Sequence, residues 1–186
     1  MKLTFITTNK TKFEEVERIM SEFGVELEQL DMSYEEDHDK GMTEIAKESA
    51  KKMAERLQKP VLVDDTGVFI DAYNNFPGPL AKFVFTNLGY KGLFKLLEGE
   101  SKAGHFETAA AYCQPGNEPV VFIGRMNGQF VIKKDLKDPG FMPYMQIFVP
   151  DGFDKTIYEL SIEEKNSISH RAAAFRKLGK FISSKP

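Results

Sequence analysis

Four short segments of this chain carry more polar functionality than turns require. Thr7-Thr8-Asn9-Lys10-Thr11-Lys12 lies between a β-rich run and a helical pattern. Backbone N–H groups at a helix start form an anion site, and Lys12 adds a point charge. The same residues suit an ordinary Asn/Thr cap, and without glycines they do not make a Walker loop. Asp64-Asp65-Thr66-Gly67 closes the apolar run Pro60-Val61-Leu62-Val63. Ligands of open α/β sheets gather beyond the carboxyl ends of strands. Two adjacent carboxylates there repel unless a cation lies between them, which makes a divalent metal a natural partner. A solvated Asp-Gly turn is the competing reading. The acidic run around Glu36 joins such a metal only if folding brings it beside Asp65; otherwise it is a solvated face. In Lys165-Asn166-Ser167-Ile168-Ser169-His170-Arg171, Ser169 caps the last helix and His170 and Arg171 fall in its first turn. The macrodipole disfavours cations there, so an anion or an electron-rich base edge is expected to meet them. Together the segments describe a site for a phosphorylated ligand with Mg²⁺.

The elements that must position these residues come from a chain of 186 residues, 41% apolar, the size of one domain or of two lobes sharing a core. A chain this long buries roughly 70% of its unfolded surface and needs no disulfide or metal staple. A single cysteine, Cys113, excludes an intramolecular disulfide framework and a four-cysteine zinc site, and reads as a small buried hydrophobe. With 25 basic and 28 acidic residues the net charge is −3, too near neutral for a coat on nucleic acid or an anionic membrane. No run approaches the ~20 apolar residues of a membrane span, and the first residues lack the apolar core of a signal peptide. A cytoplasmic location is expected.

Lys2 to Thr7 reads as a strand, followed by a helix with Phe13, Val16, Ile19, Met20 and Phe23 on one face. Val25 to Asp31 is a second strand. Thr43 is expected to cap a helix running through Leu57. Pro60 to Val63 is a buried strand ending at Asp64, and Val68 to Ile70 resumes strand character beyond the turn. Leu80 to Leu97 is helical with a break at Gly89. His105–Tyr112, Val120–Arg125 and Gln129–Lys133 read as strands, with Asn127-Gly128 turning a hairpin between the last two. Ile147 to Val149 is another short strand. Ser161-Ile162-Glu163-Glu164 has the capping-box form. Early β-α-β and a later meander predict an α/β fold with a mixed sheet, bent into two lobes.

In these four segments the chain resembles the inosine triphosphate pyrophosphatases, which hydrolyse ITP, dITP and XTP to the monophosphate and pyrophosphate. The T/S-x-N-x-x-K, D/E-D-S/T-G, P-G, F-x-G-x-x-x-G and E-K-N-x-x-S-H-R patterns of that family stand here at Thr7–Lys12, Asp64–Gly67, Pro77-Gly78, Phe122–Gly128 and Glu164–Arg171. The resemblance spans most of the chain. It implies one domain over residues 1–186, a strongly twisted mixed sheet with two lobes around a central nucleotide-binding cleft, and a homodimer. By it, Asn9 and Lys12 hold the triphosphate, Thr7 and Thr66 also bind the substrate, and Lys12 and Asp65 are catalytic. Glu36, Asp65 and a supporting Asp64 hold Mg²⁺. Phe141 stacks on the purine, while Lys165, Ser169, His170 and Arg171 line the base and phosphate pocket. A pocket that tests for an oxygen at purine position 6 rejects adenine, whose amino group sets donor against donor. Three positions depart from the family. The base loop has one extra residue and Met145 in place of an aspartate; Ser49 replaces a lysine; Lys82 replaces an arginine. These leave two further readings open: a nucleotide-binding protein with impaired catalysis, and a pyrophosphatase for a different modified nucleotide.

Overall fold

The structure, a computed structural model, describes residues 1–33, 40–74, 76–134, 136 and 143–184. Glu36 and Phe141 lie outside the described residues. In chain order the elements are β1 (Lys2–Ile6), α1 (Lys10–Ser21), β2 (Glu26–Leu30), α2 (Met42–Leu57), β3 (Val61–Ile70), β4 (Pro77–Gly78), α3 (Ala81–Leu97), β5 (Ala103–Cys113), β6 (Val120–Phe130), β7 (Phe148–Pro150), α4 (Ile162–Ile168) and α5 (His170–Ser183). Short 3₁₀ turns cover Pro143–Gln146 and Ile157–Glu159. The strand order is β2-β1-β3-β5-β6-β7, with β4 paired to β3. β1 runs parallel to β2 and β3, whereas β3–β4 and β6–β7 are antiparallel, so the expected α/β fold with a mixed sheet is what forms.

The chain divides into two compact units. The first comprises residues 1–66, 108–124 and 170–186. Its core joins Leu3 and Phe5 of β1, Val16, Ile19 and Met20 of α1, Leu62 of β3 and Ala174, Phe175 and Leu178 of α5. The 3.6-residue spacing read in α1 is the spacing of its inward side chains. Cys113 is buried here, and burial, then Glu55 and Glu118, push its thiol up. The second unit comprises residues 67–107 and 125–169. Its core gathers Val68 and Ile70 of β3, Leu93 and Leu97 of α3, Phe106 of β5, Phe130 of β6 and Phe148 of β7.

Several local expectations give way to tertiary packing. Asp64 to Gly67 does not end a strand; β3 is one strand of ten residues that carries them in its middle. Asn127-Gly128 does not turn a hairpin either, because β6 passes through it. Gly128 is needed there for close approach: a Cβ would lie 2.2 Å from the Val149 carbonyl oxygen and 2.7 Å from the Phe148 ring. Helix α2 starts before Thr43, with Gly41 at its cap position, because its buried face already begins at Met42. The break at Gly89 is present, with φ 57° and ψ −171°, a left-handed φ that favours glycine. The Ser161–Glu164 capping box also forms, but it opens α4, a short helix of its own.

Candidate active site

The first unit brings Lys12, Asp64, Thr66 and Arg171 together, with Thr7 and Asn9 in the β1–α1 turn. Asn9 caps α1: its side-chain oxygen accepts from the Lys12 backbone N–H at 3.0 Å, and its own N–H donates to the Thr7 hydroxyl at 3.2 Å. This local turn fixes the start of α1 and so the stem of Lys12. Gln29 pins the Thr7 carbonyl from β2 with a 2.9 Å hydrogen bond. The cap and the anion-site readings are therefore compatible, since helix geometry leaves the N–H groups of Lys10 and Thr11 without an intrahelical carbonyl.

Asp64 is the hub. Alternation along a strand places it and Thr66 on the face of β3 that carries Leu62, toward α1 and α5, and Asp65 on the other face. Lys12 Nζ lies 3.3 Å from Asp64 Oδ1 and 3.2 Å from Oδ2. Arg171 Nε donates to Asp64 Oδ2 at 3.3 Å, its Nη1 to Glu15 Oε2 at 2.7 Å and its Nη2 to the Thr66 hydroxyl at 3.4 Å. The Thr66 hydroxyl is also 2.9 Å from that of buried Thr108. Burial alone would raise the Asp64 carboxyl, yet Lys12 and Arg171, by charge and hydrogen bond, hold it below the usual carboxylate range. Burial likewise opposes the Arg171 charge, and Asp64 and Glu15 overcome it.

Asp64 and Asp65 do not share a face, so no cation is needed between them. Asp64 is already neutralised by two cationic side chains, which makes it an anchor for Lys12 and Arg171. Asp65 Oδ1 accepts from the Thr66 N–H at 2.8 Å. Among the described residues no three His, Cys, Asp or Glu side chains cluster as a metal-binding group. Asp65 remains the metal-ligand candidate on β3, and Glu36, its proposed companion, is outside the described residues.

His170 is not a second cation. It is 4% exposed, and burial, then the charges of Arg171 and Lys12, push its imidazole down to about 3 despite the opposing Asp64. It is therefore neutral near pH 7, able to donate from one ring nitrogen and accept at the other. Gly124 of β6 lets this helix start approach: a Cβ would stand 2.0 Å from the His170 carbonyl oxygen and 2.5 Å from the Ala174 nitrogen. The glycine of the F-x-G pattern thus positions α5 and, through it, Arg171.

Lys165 and Ser169 belong to the second unit. Lys165 Nζ donates to the Tyr158 carbonyl at 3.5 Å, and Ser169, with φ −57° and ψ 121°, separates α4 from α5. Ser49 is buried on α2, Lys82 is exposed on α3, and Met145 packs against the second core. Two members of the cluster were missed by reading the sequence. Glu15 stands one helical turn after Lys12, which was a usable signal. Thr108, beside the Ala109-Ala110-Ala111 run, gives none.

Residues 3–181 match the model of the Ham1 family. A dITP/XTP pyrophosphatase from Methanopyrus kandleri is 40% identical over 182 residues, covering 97% of this chain and 96% of that protein. One from Methanosarcina mazei is 41% identical over 174 residues, 93% and 92% of the two chains. A dITP/XTP pyrophosphatase structure from Mycobacterium abscessus superposes with a TM-score of 0.74 at 29% identity, covering 97% of each chain. A HAM1 protein from Coxiella burnetii shares the fold over the full length of both chains, with a TM-score of 0.84 at 21% identity.

Proposed function

The chain belongs to the Ham1 family, and from that premise we propose that it is a nucleoside triphosphate pyrophosphatase. It hydrolyses dITP, ITP and XTP to the monophosphate and pyrophosphate and so clears them from the nucleotide pool. The observation that carries this reading is the Lys12–Asp64–Arg171 cluster beside the capped start of α1. It supplies a lysine held ready beside helix N–H groups, the chemistry a triphosphate requires.

In this reading Thr7, Asn9 and the first turn of α1 orient the phosphates, and Lys12 leaves Asp64 to take a phosphate oxygen. Its charge offsets what builds on the departing pyrophosphate. Asp64 keeps Arg171 and stays ionised, so the cation it releases is not replaced by a proton. Asp65, on the opposite face of β3, orients the attacking water. Asp65 and Glu36 would hold Mg²⁺, whose charge neutralises phosphate oxygens when it is bound. Positioning and charge compensation account for most of the catalysis. Phe141, Lys165 and Ser169 are assigned to the base and its adjoining phosphate, with neutral His170 reading purine oxygen through an N–H. Residues 1–186 act as one functional domain, in a cytoplasmic homodimer. No helix among the described residues is long and apolar enough to cross a membrane.

The test is a panel of dITP, ITP, XTP, dGTP, GTP and ATP assayed for pyrophosphate and monophosphate, with and without Mg²⁺. Release from the first three at least about tenfold faster than from the others supports the assignment; for ATP, whose 6-amino group leaves a hydrogen-bond pairing unmet, that is the cost expected. Equal rates on all six overturn its selectivity, and tight binding without turnover would mark a binding protein. The packing of Met145 against the second core favours one variation, a different modified purine as the preferred base, which the same panel extends to.

A further inference from the structure

The 3₁₀ turn Pro143–Gln146 is tied to α3 at two points, both within the second unit. The Tyr90 hydroxyl donates to the Pro143 carbonyl at 2.9 Å, and the Tyr144 hydroxyl donates to the Ala81 carbonyl at 3.0 Å in a buried bond. Phe85 fills the space between the two rings, edge-on to Tyr90 at 4.9 Å and to Tyr144 at 6.1 Å. Burial pushes the Tyr144 phenol up, so it remains a donor across the working pH range. Tyr90 immediately follows Gly89, the residue whose left-handed φ interrupts α3. An uninterrupted helix would carry residues 90–97 on a different azimuth. The break thus sets the direction from which Tyr90 reaches Pro143.

We propose that Tyr90 is a specificity-determining positioning residue: its hydroxyl holds the Pro143–Gln146 turn in the pose from which the purine base is discriminated. The inference rests on the reading above that this segment belongs to the base end of the site. In this chain Met145 brings no carboxylate to that end and packs against the apolar core, while Gln146 is buried at 5% exposure. Base selectivity then depends on where the backbone and the Gln146 amide are held. A buried turn with an apolar side chain at its centre is placed by its anchors, and Tyr90 supplies the one at its first residue.

The experiment compares wild type, Tyr90→Phe and Tyr73→Phe. Tyr73 makes an equivalent bond to the Leu96 carbonyl at 2.5 Å, also on α3, so its hydroxyl is spent on the helix and not on the Pro143 carbonyl. Tyr90→Phe is expected to lower the kcat/KM ratio of dITP over dGTP about fivefold, the effect of losing one neutral hydrogen bond. Inhibition by inorganic tripolyphosphate is expected to stay within about twofold, because the phosphate cluster is untouched. Amide exchange at Ile147, whose N–H closes the turn on the Tyr144 carbonyl at 3.2 Å, is expected to accelerate in Tyr90→Phe alone. An unchanged nucleotide ratio, or an equal fall in Tyr73→Phe, overturns the inference. Wild-type protein that turns over neither nucleotide removes the proposed function. Unchanged exchange at Ile147 in Tyr90→Phe overturns the positioning role independently of that outcome.

Discussion

Asp64 and Asp65 are consecutive in the chain, yet Asp64 faces Lys12 and Arg171 while Asp65 lies on the other side of β3. Asp64 is held by internal cations, and the proposed function gives metal and water to Asp65. Substituting them should therefore separate stability from catalysis. Asp65→Asn is expected to lower kcat by about 10²–10⁴-fold with little change in unfolding free energy. Asp64→Asn leaves buried Arg171 undercompensated and is expected to cost about 3–5 kcal/mol by urea denaturation. Equal destabilisation by both would contradict the division.

His170 gives stability a pH dependence of definite sign. Its folded value, about 3, lies below the ordinary 6.5, so between these limits the unfolded chain binds more protons than the native one. Stability must fall as pH drops from 6.5 toward 3, by at most about 1.4 kcal/mol per pH unit. Asp64, also depressed, adds a loss only below its ordinary 3.8. Unfolding curves at pH 7, 5.5 and 4.5 should show the slope in wild type and a shallower one in His170→Asn.

Gly124→Ala is expected to displace the first turn of α5, since the new methyl meets two of its backbone atoms. Overpacking of this kind costs about 1–3 kcal/mol. The displacement also moves Arg171 relative to Asp64, so kcat/KM should fall by more than the thermal shift alone accounts for. Gly128→Ala creates a comparable clash against β7 instead. It serves as the comparison: a similar loss of Tm with tripolyphosphate affinity retained.

Chelation separates the two ends of the proposed machinery. With Mg²⁺ removed by EDTA, pyrophosphate release should be lost and regained on adding Mg²⁺. Weak binding of tripolyphosphate should persist, because Lys12 and the N-terminus of α1 need no metal. Lys12→Met should abolish that residual binding. Turnover undiminished in EDTA would remove the metal from the reading.

Much of the arrangement was legible where short-range physics decides it. The Asn9 cap, the apolar face of α1, the break at Gly89 and the Ser161 capping box each depend on residues within about one or two helical turns. The errors lie where distant partners overrule local preference. Asp64-Asp65-Thr66-Gly67 reads as a turn because an isolated strand cannot hold buried carboxylates. Here the compensating Lys12 and Arg171 are 52 and 107 residues away in the chain. Asn127-Gly128 reads as a hairpin until Phe148 and Val149 of β7 require the glycine. The triphosphate segments could be recognised as residue types, but the opposite facing of Asp64 and Asp65 became visible only once β3 was seen to be continuous.

The cluster at the start of α1 sums to no net charge, two cations against Asp64 and Glu15. It therefore projects little field into solution, and a chain with a net charge of −3 gives a polyanion no long-range attraction. Encounter is left to ordinary diffusion, and the association rate should vary little with ionic strength. In the proposed site a triphosphate reaches Lys12 by outcompeting Asp64. Abundant phosphates that lack the rest of the nucleotide are thus not drawn in from a distance, and discrimination is exercised at contact.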